Sequence, residues 1–194
     1  MKFTVALKRL TDLIISLFLI ILLSPILILC TLFIKLGDKG PIFYKQQRVG
    51  LNGCLFEILK FRSMTVNENR SIRQTFNTDP EVTWIGKVMR RTKIDELPQL
   101  INVVKGDMGL VGPRPCLTIT YEEMPEWAKE RFKVRPGMTG LAQINGNIFL
   151  SWEERWKYDI QYVKNLSILN DMKIVFKTIL VVIFGEDKFK KDVK

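Results

Sequence analysis

Leu13–Ile34 reads LIISLFLIILLSPILILCTLFI, 22 residues without a charge. A straight helix of that length is about 33 Å, enough to cross a hydrocarbon core of roughly 30 Å. Two details complicate a single span. Ser24-Pro25 lies near the middle, where proline removes an amide donor and clashes with the turn before it. Basic residues flank both ends, Lys8 and Arg9 before the run, Lys35 and Lys39 after it, so the positive-inside rule names no outward end. A helix that enters a membrane, breaks at Ser24-Pro25 and returns to the same face meets both details. Each arm is then about 11–12 residues, too short to span. The Ser24 hydroxyl can bond backbone freed by the proline. A kinked spanning helix and a buried soluble helix are the competing readings.

Upstream, Met1–Asp12 reads as a short basic amphipathic lead-in, with Val5, Leu10 and Leu13 on one side and Lys8 and Arg9 at the head groups. The apolar run is too long for a secretory h-region and lacks an A-x-A site. Leu29 before Cys30 is bulky where a lipoprotein signal carries a small residue. The segment therefore reads as retained.

Downstream, Pro41–Gln46 and Leu55–Lys60 read as strands joined through Gly50-Leu-Asn-Gly53. Residues 65–80 read as a polar loop. Val82–Arg91 becomes helical near its end, and Pro98 opens a helix through Leu100–Val104. Gly106, Gly109, Gly112, Pro113 and Pro115 make an irregular segment. Glu122–Phe132 reads as a short helix, acidic early and basic late. Ser151 and Glu154 form a capping box for Trp152–Val163, where Trp152, Trp156 and Tyr158 suggest an interfacial or partner-facing surface. Leu169–Phe184 is a last helix, either in the membrane interface or closing the core. The organisation is thus a membrane-associated segment, 1–36, a domain, 37–187, and a charged tail, 188–194.

The 194 residues carry 30 basic and 20 acidic side chains, a formal charge of +10, and no histidine. A basic protein beside a membrane favours anionic head groups and phosphorylated substrates; nucleic acid is a remote choice. Cys30, Cys54 and Cys116 form no CxxC pair, which argues against a disulfide scaffold or structural zinc and for a reduced, cytosolic-side domain. Neither GxGxxG nor GxxxxGK[ST] occurs, so dinucleotide and P-loop readings lack support. Any covalent mechanism must use a carboxylate, hydroxyl, lysine or cysteine.

Three stretches can carry phosphate chemistry. In Lys93-Ile-Asp95-Glu96-Leu-Pro98 the adjacent carboxylates resist burial together unless a cation compensates. Mg²⁺ would do so and would screen a diphosphate. One carboxylate could attack phosphorus while the other binds metal or orients a group; ordinary solvated surface is the plain alternative, and Arg90 and Arg91 one turn upstream weigh against it. Arg114, held between Pro113 and Pro115, can grip phosphate in a two-pronged contact or simply bond backbone in a turn. Arg135-Pro-Gly137 combines a cation with a glycine that lets backbone amides approach phosphate.

Taken in order, these stretches resemble the bacterial sugar transferase family, the small monotopic phosphoglycosyl transferases. The resemblance rests on Lys8-Arg-Leu-Thr-Asp12, Ser24-Pro25, Gly40-Pro-Ile-Phe, Lys60-Phe-Arg-Ser-Met64, Asp95-Glu-Leu-Pro-Gln-Leu100, Asn102-Val-Val-Lys-Gly-Asp-Met108, Val111-Gly-Pro-Arg-Pro115 and Arg135-Pro-Gly-Met-Thr-Gly140. It continues through Gln143-Ile-Asn-Gly146, Ser151-Trp-Glu-Glu154 and Tyr158-Asp159 to Asp171-Met-Lys-Ile174.

The resemblance implies a mainly helical α/β fold with a small β-hairpin, monotopic in the membrane. Its N-terminal helix would be re-entrant, broken at Ser24-Pro25, and further helices would lie in the interface. It implies transfer of a sugar 1-phosphate from a UDP-sugar to polyprenyl phosphate, with UMP released and Mg²⁺ required, at the cytoplasmic face of the bacterial inner membrane. Asp95 matches the nucleophile that forms a covalent phosphosugar intermediate and is also a metal ligand; Glu96 matches its dyad partner. Lys60, Arg90, Arg114 and Arg135 match basic residues of the phosphate site. Expected partners are the donor, the polyprenyl phosphate, membrane lipids and downstream glycosyltransferases, with a homodimer left open and nucleic acid excluded. Direct transfer without an intermediate, and a scaffold that has lost catalysis, are the rival readings. Lys93, Gly109 and Asn147 depart from the residues common in relatives, which bears on the choice of donor.

Overall fold

The computed structural model describes residues 2–37, 40–66 and 79–189. Most of the expected polar loop, Lys39 and the end of the charged tail lie outside them. The elements in order are α1 (Lys2–Gly37), β1 (Phe43–Val49), β2 (Leu55–Phe61), α2 (Trp84–Arg91), α3 (Gln99–Lys105), β3 (Gly109–Val111), α4 (Thr118–Glu122), β4 (Gly137–Thr139), α5 (Trp152–Lys164) and α6 (Ile168–Phe184), with short 3-10 turns between them. The fold is mainly helical, with one antiparallel hairpin, β1–β2, and a small parallel pair, β3–β4.

Among the described residues α1 is the one helix long and apolar enough to cross a membrane. It runs helical through Pro25. The amide missing at Pro25 would have served the Ile21 carbonyl, and the Ser24 hydroxyl donates to that carbonyl at 2.7 Å. The middle of the helix is bare: Ile14, Phe18, Ile21, Leu22 and Ile28 are all more than half exposed. Both ends, by contrast, are tied to the same body. Lys8, Asp12 and Ser16, four residues apart on one face, are buried. Near the other end Cys30 and Ile34 pack with Phe61 and Met89. A segment bare in the middle and docked at both ends suits a monotopic anchor.

Lys8 and Arg9, expected at the head groups, turn inward. Lys8 Nζ is 2.6 Å from Asp171 Oδ2 and 3.1 Å from Asp12 Oδ2. The Arg9 guanidinium donates to the Val103 and Val104 carbonyls, and Arg135 Nε donates to the Gly106 carbonyl at 2.7 Å. Two cations from distant parts of the chain thus close the C-terminal end of α3, where free carbonyls and the helix dipole favour positive charge.

The hairpin turns through Asn52 and Gly53, both at positive φ. Its second strand is fastened to α3 by one side chain. Asn102 Oδ1 accepts from Leu59 N at 3.0 Å, and its Nδ2 donates to the Glu57 carbonyl at 2.7 Å. The segment expected to be irregular contains β3, which pairs in parallel with β4. Gly112 makes the crossing feasible: a Cβ there would sit 2.4 Å from the Arg135 carbonyl oxygen.

The expected helix over Glu122–Phe132 is instead two pieces, α4 and a 3-10 stretch over Glu126–Lys133. Pro125 divides them, extended at ψ 148°, because it supplies no amide and disfavours helix before it. The capping box at Ser151 and Glu154 forms. Trp152 and Trp127 are exposed on either side of half-buried Trp156. In α6, Asp171, Ile174 and Val181 face the core, while Leu169, Met172, Phe176, Ile179 and Ile183 are bare. The core-closing reading of this helix holds for its buried face, and its outer face is apolar and exposed.

Candidate active site

Asp95 and Glu96 sit in the 3-10 turn Ile94–Glu96 between α2 and α3. Lys93, just before it, is left-handed at φ 59°, which tightens the approach of the chain. Pro98 after it opens α3. The turn packs against the end of β2, where Lys60 stands.

The two neighbouring carboxylates have different surroundings. Glu96 Oε1 is 2.7 Å from Lys60 Nζ and 2.8 Å from Arg114 Nη2. Arg114 Nη1 reaches Glu96 Oε2 at 3.5 Å. Asp95 is 9% exposed, and among the described residues its carboxylate takes no hydrogen bond or ion pair. Burial pushes the Asp95 carboxyl up, and Glu96 adds to that; Lys60, Arg90 and Lys93 pull the other way without cancelling it. Burial would raise Glu96 too, but the Arg114 guanidinium and the Lys60 ammonium outweigh it and hold Glu96 well below the usual carboxylate range. Lys60 is pushed down by burial, with Glu96 opposing.

Arg90 is brought to this group by close packing of α2. A Cβ on Gly86 would lie 1.9 Å from the Ser63 carbonyl oxygen, so only glycine lets the helix come so near. Thr83 caps α2, accepting from Gly86 N at 3.0 Å. Arg90 Nε then donates to Ser63 Oγ at 2.9 Å. Lys60, Arg90 and Arg114 therefore surround the carboxylate turn, whereas Arg135 stands apart at the far end of α3, on the Gly106 carbonyl.

Three further charged residues join the site. Arg48 Nη2 donates to Gln46 Oε1 at 2.6 Å, and Nη1 lies 3.5 Å from the Pro115 carbonyl, one residue from Arg114. Sequence analysis gave Arg48 no role in the site. Arg131 and Asp159 form a buried ion pair at 2.8 Å, and Arg131 Nη2 also donates to the Arg114 carbonyl at 2.7 Å. Tyr158-Asp159 belongs to a recognisable stretch, but the partner lies 28 residues away, and no local pattern links the two.

Among the described residues no three His, Cys, Asp or Glu side chains converge on one point. With both Glu96 oxygens facing cations, Asp95 is the carboxylate open to a divalent ion. Mg²⁺ bound through one or two carboxylates usually completes its shell with substrate phosphates and water. The donor set fits an ion that arrives with a diphosphate.

Residues 3–185 match the family model described as bacterial sugar transferase. The exopolysaccharide production protein ExoY of Sinorhizobium fredii is 38% identical over 94% of this chain and 88% of that protein. The UDP-glucose:undecaprenyl-phosphate glucose-1-phosphate transferase of Escherichia coli is 41% identical over 89% of this chain. The undecaprenyl-phosphate galactose phosphotransferase of Salmonella typhimurium is 39% identical over 91%. The match covers 39% and 41% of the lengths of these last two proteins.

Proposed function

The chain belongs to the bacterial sugar transferase family, and from that premise we propose that it moves a sugar 1-phosphate from a UDP-sugar to polyprenyl phosphate, releasing UMP. The observation that carries the mechanism is the unequal dyad: a buried Asp95 with no hydrogen bond or ion pair among the described residues, beside a Glu96 held by two cations. A carboxylate that takes no hydrogen bond or ion pair from the described residues keeps an oxygen free for phosphorus.

In this reading an Asp95 oxygen attacks the β-phosphorus of the donor, and the bond from that phosphorus to the bridging oxygen breaks. UMP leaves with the electron pair, and an acyl phosphate-sugar remains on Asp95. An oxygen of polyprenyl phosphate then attacks the same phosphorus and returns Asp95 as a carboxylate. Arg114, Lys60 and Arg90 supply positive charge where negative charge accumulates. Mg²⁺, held by Asp95 and the donor's own phosphates, would neutralise the diphosphate. Glu96 keeps Lys60 and Arg114 in place.

The bare middle of α1 and outer face of α6 suit a bilayer that also holds the acceptor's tail. Docking of both ends of α1 on one body supports re-entry; in this reading the catalytic domain lies on the cytoplasmic face of the inner membrane. Free thiols at Cys30, Cys54 and Cys116 agree with that compartment.

The test is purified protein in nanodiscs with Mg²⁺ and a panel of UDP-sugars, beginning with UDP-glucose and UDP-galactose, with and without undecaprenyl phosphate. Acceptor-dependent UMP turnover, lost in Asp95→Asn, is expected. A stoichiometric UMP burst without acceptor supports the covalent intermediate, and its absence beside normal turnover would point to direct transfer. UDP as product, or no release from any donor by folded protein, would overturn the proposal.

A further inference from the structure

Arg114 lies between two prolines that have no amide to donate, so its segment depends on other bonds. Two of these are backbone contacts with the β4 region: Gly112 N to the Thr139 carbonyl at 2.8 Å, and Gly137 N to the Pro113 carbonyl at 2.9 Å. The other two trace to α5. Asp159 Oδ2 accepts from Arg131 Nε at 2.9 Å and Nη2 at 2.8 Å, and the same Nη2 reaches the Arg114 carbonyl at 2.7 Å. Three residues on, the Tyr162 hydroxyl lies 3.0 Å from the Val111 carbonyl and 2.8 Å from Asp171 Oδ1. Residues three apart on a helix share a face, so one face of α5 holds both ends of the 111–114 segment.

These groups are deeply buried. The Arg131 and Asp159 side chains are 5% and 3% exposed, and Tyr162 is 1% exposed. A buried ion pair is poor value as stabilisation, since apolar residues of equal volume often do as well. It does impose direction: a guanidinium fixed by a carboxylate presents its remaining donors at set angles. Here the donor so aimed meets the backbone of the one arginine that crosses to Glu96.

We propose that Asp159 and Tyr162 are positioning residues that hold the 111–114 segment at both ends, setting Arg114 against Glu96 to receive the diphosphate of a nucleotide-sugar donor. The proposal rests on the functional reading above. Asp159 acts through Arg131; the Tyr162 hydroxyl, with one proton between the Val111 carbonyl and Asp171 Oδ1, sits directly at the Val111 end.

The experiment measures UDP-glucose or UDP-galactose, whichever the wild type uses, by Kd from calorimetry and by KM and kcat from UMP release. Asp159→Asn, Arg131→Lys and Tyr162→Phe are made alone and in an Arg114→Ala background, with a thermal melt confirming that each is folded. Arg131→Lys keeps a cation beside Asp159 and removes the second donor, so it tests the contact if Asp159→Asn folds poorly. The expected result is a rise in donor Kd and KM of roughly tenfold or more for Asp159→Asn, with a smaller change in kcat. In the Arg114→Ala background the same substitution should change Kd by less than about twofold. A rise of equal size in both backgrounds, or folded variants with wild-type Kd, overturns the proposal. A wild type that binds donor but releases no UMP overturns the transferase reading while the Kd comparison still decides the positioning role.

Discussion

Lys60 reaches Glu96 and passes over Asp95. Its ammonium lies 2.7 Å from Glu96 Oε1, while the neighbouring carboxylate, buried in the same turn, has no partner among the described residues. In the proposed mechanism Glu96 keeps a cation away from Asp95. Glu96→Gln should let Lys60 turn to Asp95 and slow the first UMP burst by roughly 10²-fold. Single-turnover UMP release without acceptor measures this; an unchanged burst would mean that Glu96 does not restrain Lys60.

The same pair sets a pH dependence. Burial and Glu96 raise the Asp95 carboxyl, whereas Arg114 and Lys60 keep Glu96 ionised far into acid. A protonated Asp95 cannot attack, so the burst rate should fall as pH is lowered, with Asp95 titrating before Glu96. In Glu96→Gln a negative neighbour is gone and Lys60 is released, both of which lower Asp95. The acid limb of the rate profile should move to lower pH, and a shift upward would contradict the assignment.

Stability should follow opposite signs for the two carboxyls. A raised carboxyl such as Asp95 favours the folded state at low pH, and that contribution is lost as pH rises through its folded value. Asp95→Asn should therefore melt higher than wild type at pH 8, with the gap closing as the pH falls. The depressed Glu96 stabilises above its ordinary range and is lost on acidification. Melts from pH 4 to pH 8 in one detergent report the Asp95 contribution, whereas that of Glu96 is lost only on acidification below this range.

Ser24 compensates for Pro25 by serving the Ile21 carbonyl. Ser24→Ala should cost about 0.5–1.5 kcal/mol by leaving that carbonyl without its partner. Pro25→Ala restores the amide and straightens the helix, which favours crossing over return. Single cysteines placed near residues 4 and 36, probed with a membrane-impermeant maleimide, should label from one side in wild type. Labelling from opposite sides in wild type would exclude re-entry.

Asn102 is 1% exposed and bonds both the amide of Leu59 and the carbonyl of Glu57. Asn102→Leu should lower stability by about 2–4 kcal/mol, because two buried backbone groups lose their partner. It should also weaken donor binding, since Lys60 sits on the strand so released. A folded variant with wild-type melting and affinity would show that the stitch is dispensable.

Much of this was legible before the structure because it is written locally. The charge-free run with Ser24-Pro25, the capping box at Ser151 and Glu154, and the carboxylate turn before Pro98 each declare themselves within a few residues. The hairpin did so as well, through two strand-like runs on either side of Gly50-Leu-Asn-Gly53. The parallel contact of Gly109–Val111 with Gly137–Thr139 did not, since three-residue strands have no period to detect. Nor did the inward turn of Lys8, because an ammonium near a membrane anchor reads as a head-group contact until Asp171 is known to face it. Within the site, the sequence led to different roles for Asp95 and Glu96 without showing what separates them. Their difference comes from Lys60 on a strand and Arg114 in a distant loop, and only tertiary structure supplies that.

Lys8 and Asp171 are separated by 163 positions in the chain. At about 5–20 residues per second, a ribosome needs roughly ten to thirty seconds to make the second after the first. During that interval the N-terminal segment has already left the exit tunnel and met the bilayer with a cation that its final partner cannot yet neutralise. Asp12, one helical turn on, can hold the lysine as soon as the first turns form. Asp12 is thus available to the lysine before Asp171 exists, and in the folded chain Lys8 keeps both carboxylates. The membrane segment and the end of the chain complete each other, so a version shorn of its anchor would emerge with Asp171 facing no ammonium and the carbonyls of Val103 and Val104 without their guanidinium.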